Sequence, residues 1–358
     1  MLTRKEFIQQ ALAVSAGTAV MGFSSLDEKW LKTFSPSAPV LFPSFDLHAH
    51  PGRFYQRGRT EGYTGDDVVR KTVNEMNATN LSGVFLSMVV DGLVTKATET
   101  GIVPSRDFEK GEAWKEYKRQ LVQLNELCKL LPLQQATKFS DLKPDSKTVA
   151  AFFACEGGDF LESSDQLDEM YADGIRSIQL VHYAPNPLGD LQTYDSQHNG
   201  LSITGKTVVK KMNQLGMVID VAHASYKTVR DVVEITNKPI ILSHSILKAK
   251  EERPISLRAI TPEHAKAVAQ TGGVIGAWPS GFNTSFEDYV DNILKLTDIV
   301  GIDHVGLGTD MDSNFKPVLD SYSQLSRLAE SLQAKGFSNE ELQKFMGGNA
   351  IRVLKKVF

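Results

Sequence analysis

At 358 residues, 41% of them apolar, the chain can bury a large core. Its net charge of −4, with no Lys/Arg run, gives no electrostatic footprint for nucleic acid. Two cysteines, Cys128 and Cys155, are too few for a disulfide framework, and neither belongs to a CxxC pair.

The chain opens with Thr3-Arg4-Lys5-Glu6-Phe7-Ile8, followed by a small and apolar stretch from Ala11 to Phe23. A basic segment ahead of an apolar run too short to span a membrane predicts an export signal. It resembles a twin-arginine leader in which Lys5 replaces the second arginine, with a Sec-type signal as the competing reading; either predicts a periplasmic destination. Residues 1–35 are therefore read as signal and linker, and residues 36–358 as one domain.

From residue 40 onward, apolar runs of strand length alternate with segments of helical period. The strand candidates are 40–47, 81–90, 147–155, 175–183, 217–222, 238–243, 273–279 and 304–309. Most are dense in Val, Ile, Leu and Phe without polar alternation, as parallel strands covered on both faces should be. Helix candidates include 112–131, 204–215, 225–236, 261–271 and 285–300. Thr261-Pro262-Glu263 has the form of a helix start, and Gly216, Gly272 and Gly301 sit where helices should stop. Eight β-then-α units predict a closed (β/α)₈ TIM barrel over an open sheet. The connection between the first two strands and the stretch 91–146 are longer than a βα loop needs, and are candidates for active-site cover.

Five of the strand-like runs end on a residue able to bind a metal ion: FDLHAH at 45–50, FFACEGG at 152–158, VIDVAH at 218–223, IILSH at 240–244 and HVGLGTD at 304–310. The side chains are His48, His50, Glu156, His223, His244 and Asp310. Imidazole with carboxylate suits Zn²⁺ and its first-row neighbours, and the carboxyl ends of barrel strands are where such folds build active sites. One histidine alone reads as a satisfied core residue; six strand-end donors together do not. His48 and His50 are one residue apart, so a strand points both to the same side. Six donors exceed what one tetrahedral ion uses, and a carboxylate can bridge two. Glu156, followed by Gly157-Gly158, is the candidate bridge between two Zn²⁺ ions about 3.5–4 Å apart that share a hydroxide. Asp310 is the candidate to carry the proton from that hydroxide to a leaving amine, with Asp312 as its alternative.

These motifs carry a family resemblance. CEGG at 155–158, LVHYAPNPLGD at 180–190, GLSITGKTVVKKMNQLGMVIDVAHAS at 200–225 and ILSHS at 241–245 resemble the membrane (renal) dipeptidase family of zinc peptidases, family M19. So do RAITPEHAKAVAQTGGVIGAW at 258–278, GIDHVGLGTDMDS at 301–313 and GGNAIRVL at 347–354. The similarity runs from about residue 44 to the C-terminus. It implies an amidohydrolase-like barrel with two zincs, one held by His48, His50 and Asp310, the other by His223 and His244, with Glu156 between them. It further implies that His182 polarises the substrate carbonyl and that Arg258, or else Arg253, pairs with the substrate's terminal carboxylate. The implied substrate is a dipeptide. No nucleic acid, no lasting membrane insertion and no C-terminal lipid anchor are expected, and a homodimer is compatible with the family.

Two departures stand out. The family's first motif usually reads His-x-Asp, whereas this chain has His48-Ala49-His50, which leaves the first ion with one less negative charge. The last motif ends Asp312-Ser313 where Asp-Gly is common. Both weaken the inference to dipeptides more than the inference to hydrolysis, so an amidohydrolase for another small amide, N-acyl amino acid or lactone is the alternative. A metal-binding protein without turnover is a third reading.

Overall fold

The computed structural model describes residues 44–99, 101–143, 146–161, 163–249 and 256–358. The leader and Arg253 lie outside the described residues.

Eight parallel strands close on one another: β1 (Ser44–Ala49), β2 (Leu81–Val89), β6 (Val149–Glu156), β7 (Ile175–Gln179), β8 (Val218–Asp220), β9 (Ile241–Ser245), β10 (Val274–Ala277) and β11 (Val305–Leu307). Each pairs with the next in that order, and β11 returns to β1, so the sheet has the closed (β/α)₈ form that the alternation predicts. Every expected strand is present, but those at 175–183, 217–222, 273–279 and 304–309 are shorter than their apolar runs. The backbone leaves the ladder before the mouth while its side chains, the half-buried Tyr183 excepted, stay buried.

Two further elements extend the stretch 91–146. An antiparallel hairpin, β3 (Thr95–Thr98) and β4 (Gly101–Pro104), follows β2. A short strand β5 (Leu133–Gln135) pairs with Val149–Ala151 of β6, ahead of the residues that β7 takes up. The same stretch holds α2 (Glu112–Leu130), and the connection after β1 holds α1 (Asp66–Ala78). Each region thus contains one of the barrel's own helices, and the remainder of its described length is turns, the hairpin and β5.

The remaining helices are α3 (Gln166–Ala172), α4 (Ile203–Leu215), α5 (Tyr226–Ile235), α6 (Pro262–Gln270), α7 (Phe286–Val300), α8 (Leu325–Ala334), α9 (Asn339–Gln343) and α10 (Asn349–Val357). Their ends follow local chemistry. Ser202, Ser225, Thr261 and Ser285 each accept a backbone N–H of the first turn, which satisfies a donor the helix leaves free. Pro262 occupies the first turn of α6, and Gly216 ends α4 at φ 74°, a left-handed conformation that glycine enters without a Cβ clash. Among the described residues no helix is long and apolar enough to cross a membrane.

Phe85 packs edge-on against Phe45 and Phe152, which are tilted to one another, all at centroid separations of 5.5–6.0 Å, and Phe358 stacks on Phe152; the three come from β2, β1 and β6. Near the mouth, β9, β10 and β11 approach so closely that a Cβ at Gly276 would lie 1.8 Å from the Ser243 carbonyl oxygen, so glycine is required there.

Candidate active site

The carboxylate of Glu156, the last residue of β6, is the hub of the barrel mouth. Its Oε1 lies 3.3 Å from His48 Nε2, 3.3 Å from His182 Nε2, 3.4 Å from His223 Nε2 and 3.6 Å from His244 Nε2. Its Oε2 lies 3.2 Å from His50 Nε2. Two tight groups share it: His48, His50 and Glu156, and Glu156, His223 and His244. Asp310 adjoins the first group through His50, at 3.4 Å, and sits outside both triads. All are buried. Gly157, next along the chain, has φ 92°, and a Cβ there would meet Asp159 Oδ2; the double glycine allows the chain to turn away beneath the hub.

The imidazoles are held from behind. His50 Nδ1 is 2.7 Å from the Ser87 carbonyl oxygen, which can only accept, so that nitrogen carries the proton and Nε2 presents its lone pair to the centre. His48 Nδ1 faces the hydroxyls of Ser87 and Ser243, and His244 Nδ1 also faces Ser243. Consequently His48 and His50 oppose one another Nε2 to Nε2 at 2.9 Å, and His223 and His244 do so at 3.1 Å. Buried lone pairs converging on a carboxylate repel unless a cation lies among them. The donor set therefore fits divalent metal, and its N/O composition fits the zinc-like class.

The electrostatics divide the same way. Burial alone would raise the Glu156 pKa, but His182 and His48 outweigh it and hold the carboxyl well below the usual range. Burial pushes His223 and His244 well below an ordinary histidine, helped by the positive charges of Arg258 and His48. Asp310 is raised to about 6, chiefly by burial and against the pull of His50 and His48. Its Oδ2 accepts the Trp278 indole N–H at 3.2 Å.

Three residues beyond the end of β7, His182 donates from Nδ1 to Asp91 Oδ1 at 2.7 Å. Asp91 Oδ2 accepts the backbone N–H groups of Tyr183 and Ala184, both at 3.0 Å. Burial opposes charge on His182, yet Asp91 and Glu156 together raise its pKa to about 9. Its Nε2 is thereby a charged donor facing the centre. Asp91 went unremarked in the sequence, although it closes the run VFLSMVVD and the strand-end logic applies to it.

Arg258 follows β9 in a short turn and is 0% exposed. One terminal nitrogen donates to Gln192 Oε1, while Nε and the other terminal nitrogen have no partner among the described residues. Its charge acts on His223, His244 and Tyr183, so the guanidinium lies beside the second group. A fully buried guanidinium edge without an acceptor is costly and is the natural seat of a ligand anion. Asp312, the alternative to Asp310, is occupied elsewhere: its Oδ2 accepts Gly52 N–H at 2.7 Å and the Thr72 hydroxyl at 2.6 Å.

A family model described as membrane dipeptidase (peptidase family M19) matches residues 42–358. Dipeptidase tcpJ of Claviceps purpurea is 31% identical over 206 residues, covering 54% of this chain and 48% of that protein. The chain spans about half the length of the curated relatives it matches. Among solved structures, the metallo-peptidase dipeptidase AC superposes with a TM-score of 0.75 at 20% identity, over 88% of this chain and 98% of that one. A metallo-peptidase from Rhodobacter sphaeroides, bound to a phosphinate mimic of the dipeptide L-Ala-D-Ala, gives 0.73 at 19% identity over 88% and 99%.

Proposed function

The chain belongs to the membrane dipeptidase family, peptidase family M19, and from that premise we propose that it is a binuclear zinc dipeptidase requiring a free C-terminal carboxylate. The observation that carries the reading is the Glu156 carboxylate, within 3.2–3.6 Å of five imidazole nitrogens drawn from the ends of four strands, β1, β7, β8 and β9. His48, His50 and Asp310 would hold one ion and His223 and His244 the other, with Glu156 common to both. When bound, the ions supply Lewis acidity and lower the pKa of water at the centre.

The chain's own groups supply the rest. Arg258 offers its unpartnered edge to the substrate's terminal carboxylate, a bidentate pair that amidation would abolish. That contact fixes the peptide's C-terminal end beside His223 and His244. His182, held by Asp91, directs Nε2 toward the scissile carbonyl oxygen and stabilises the charge that develops there. Asp310, poised near neutrality by burial, accepts a proton from the attacking water and returns it to the leaving amine. Trp278 keeps the second oxygen of Asp310 oriented during that transfer. In the same reading residues 1–35 are an export leader and residues 36–358 the catalytic domain.

The test is metal analysis of the purified chain with a dipeptide panel before and after chelation, including C-terminally amidated analogues. About two zincs per chain, chelator-sensitive cleavage and inert amides are expected. Metal without dipeptide turnover would move the substrate to another small amide or ester, and absence of metal would overturn the reading.

A further inference from the structure

Two of the six strand-end donors sit in a backbone conformation that their side chains disfavour. His223 has φ 64° and Asp310 φ 51°. Left-handed backbone strains a non-glycine residue and persists only where the surroundings hold it. In both cases a buried aspartate accepts the N–H of the residue just before, Ala222 or Thr309, and so helps to hold the turn.

Asp220 Oδ1 accepts the N–H of Ala222, which precedes His223, at 2.9 Å. The same oxygen accepts the N–H of Ser243, which precedes His244, at 3.0 Å. Asp46 repeats the arrangement on the other side of the barrel. Its Oδ1 accepts the N–H of Thr309, which precedes Asp310, at 2.9 Å, and that of His48 itself at 3.2 Å. Its Oδ2 takes the hydroxyls of Thr309 and Tyr322. Neither aspartate has a hydrogen bond to a donor side chain of the centre.

Both aspartates also stand at the two thinnest seams of the barrel. β1 and β11 share one registered pair, Asp46 with Leu307, and β8 and β9 share one, Asp220 with Ile241. Every other neighbouring pair of barrel strands has three or more. The pairing is interrupted there, and between β1 and β11 it resumes nearer the mouth, where Asp310 N–H donates to the His48 carbonyl oxygen and His50 N–H to that of Met311. Within each gap a carboxylate oxygen takes N–H groups of both strands. That substitution frees the backbone to turn and fixes the direction in which it turns.

We propose that Asp46 and Asp220 are positioning residues, each dedicated to one half of the metal centre: Asp46 to the half containing His48 and Asp310, Asp220 to the half containing His223 and His244. The inference rests on the two-ion reading above. It differs from a general structural role in being selective: loss of one aspartate disturbs chiefly its own ion, although Ser243, held by Asp220, faces His48 Nδ1 at 3.4 Å as well as His244 Nδ1 at 3.1 Å.

The experiment is titration of the chelator-stripped full chain with Co²⁺, followed by visible absorption and calorimetry. His223→Ala and His50→Ala identify which of two binding events belongs to which half. Asp220→Ala is expected to weaken the event lost in His223→Ala by about 10–100-fold, as removal of a group that orients ligands does, and Asp46→Ala the event lost in His50→Ala. Asparagine keeps one acceptor oxygen without the charge, so Asp220→Asn and Asp46→Asn should show smaller losses, about 3–10-fold, in the same events. Should the alanine chains not fold, the asparagine chains decide. A loss confined to the matching event, or larger in it, supports the inference, and equal loss in both events, or in neither, overturns it. Fewer than two Co²⁺ in the unaltered chain would instead sink the two-ion reading and take this inference with it.

Discussion

The two halves of the proposed centre share Glu156 but are built differently. On the β1 side, His50 is oriented by a carbonyl oxygen, His48 faces two hydroxyls, and Asp310 brings a second carboxylate close to His50. On the β8–β9 side there are only imidazoles. Burial and the charges of Arg258 and His48 keep them from protonating, and His223 Nδ1 has no partner among the described residues. One half is rich in negative charge and tightly braced; the other is neutral and lies beside the Arg258 guanidinium. In the proposed reading the first is suited to retaining its ion and the second to meeting the peptide.

The largest effect comes from removing what the halves share. Glu156→Gln is close to isosteric but takes away the charge that both ions of the proposed centre would need. Elemental analysis should show loss of both, and kcat/KM should fall about 1,000-fold or more, several kcal/mol of transition-state stabilisation. Retention of one full equivalent would mean that the halves do not depend on a common carboxylate.

Asp91→Asn tests a group outside both halves. Its amide must either turn its NH₂ toward His182 or oppose the N–H groups of Tyr183 and Ala184. His182 loses its oriented, charged form either way, and kcat should drop about 100-fold, as for a misoriented catalytic histidine. Metal content and KM should stay near their original values. Metal loss with this substitution would make Asp91 part of the ion site rather than the support of His182.

A sharper test of the asymmetry is the order in which ions leave. The added carboxylate of Asp310 should hold the β1-side ion at least about tenfold more tightly, since opposite charges a few ångströms apart interact by more than 1 kcal/mol even at an intermediate dielectric. Graded chelation should therefore empty the His223/His244 half first, and His223→Ala should still retain one ion. The reverse order would show that His50, in place of the family's usual Asp, has weakened the first half below the second.

Much of this was legible in the sequence because chemistry and position coincide. Strand-end placement identified His48, His50, Glu156, His223, His244 and Asp310, and the structure brings the four histidines around the Glu156 carboxylate, with Asp310 against His50. What escaped were residues whose importance lies in their neighbours. Asp46 and Asp220 read as single polar interruptions of apolar strands, and nothing in their spacing reveals that each lies at a seam with one registered pair. Strand ends were overextended for the same reason: Val221 and Ala222 are buried and apolar, yet they belong to the turn that Asp220 holds rather than to β8. Helix α1 was hidden inside the long connection after β1. The candidates Asp310 and Asp312 are alike in sequence and differ only in partners, one against His50 and Trp278, the other against Gly52 and Thr72.

The smallest expected effect lies behind the β8–β9 half, where His264 in the first turn of α6 is buried against Tyr226 of α5. Burial lowers its pKa from 6.5 to about 4, and the nearby Glu263 does not compensate. The unfolded chain therefore binds more protons than the folded one between these values, and stability must fall as pH drops through that window. A shift of this size removes about 2 kcal/mol between pH 8 and pH 5, with the full loss of about 3 kcal/mol reached below pH 4. His264→Phe, which cannot titrate, should flatten the acid limb of the unfolding midpoint against pH while leaving a chain with both ions bound at pH 8. An acid limb as steep in the variant as in the parent would assign the acid sensitivity to other buried histidines, those of the centre first among them.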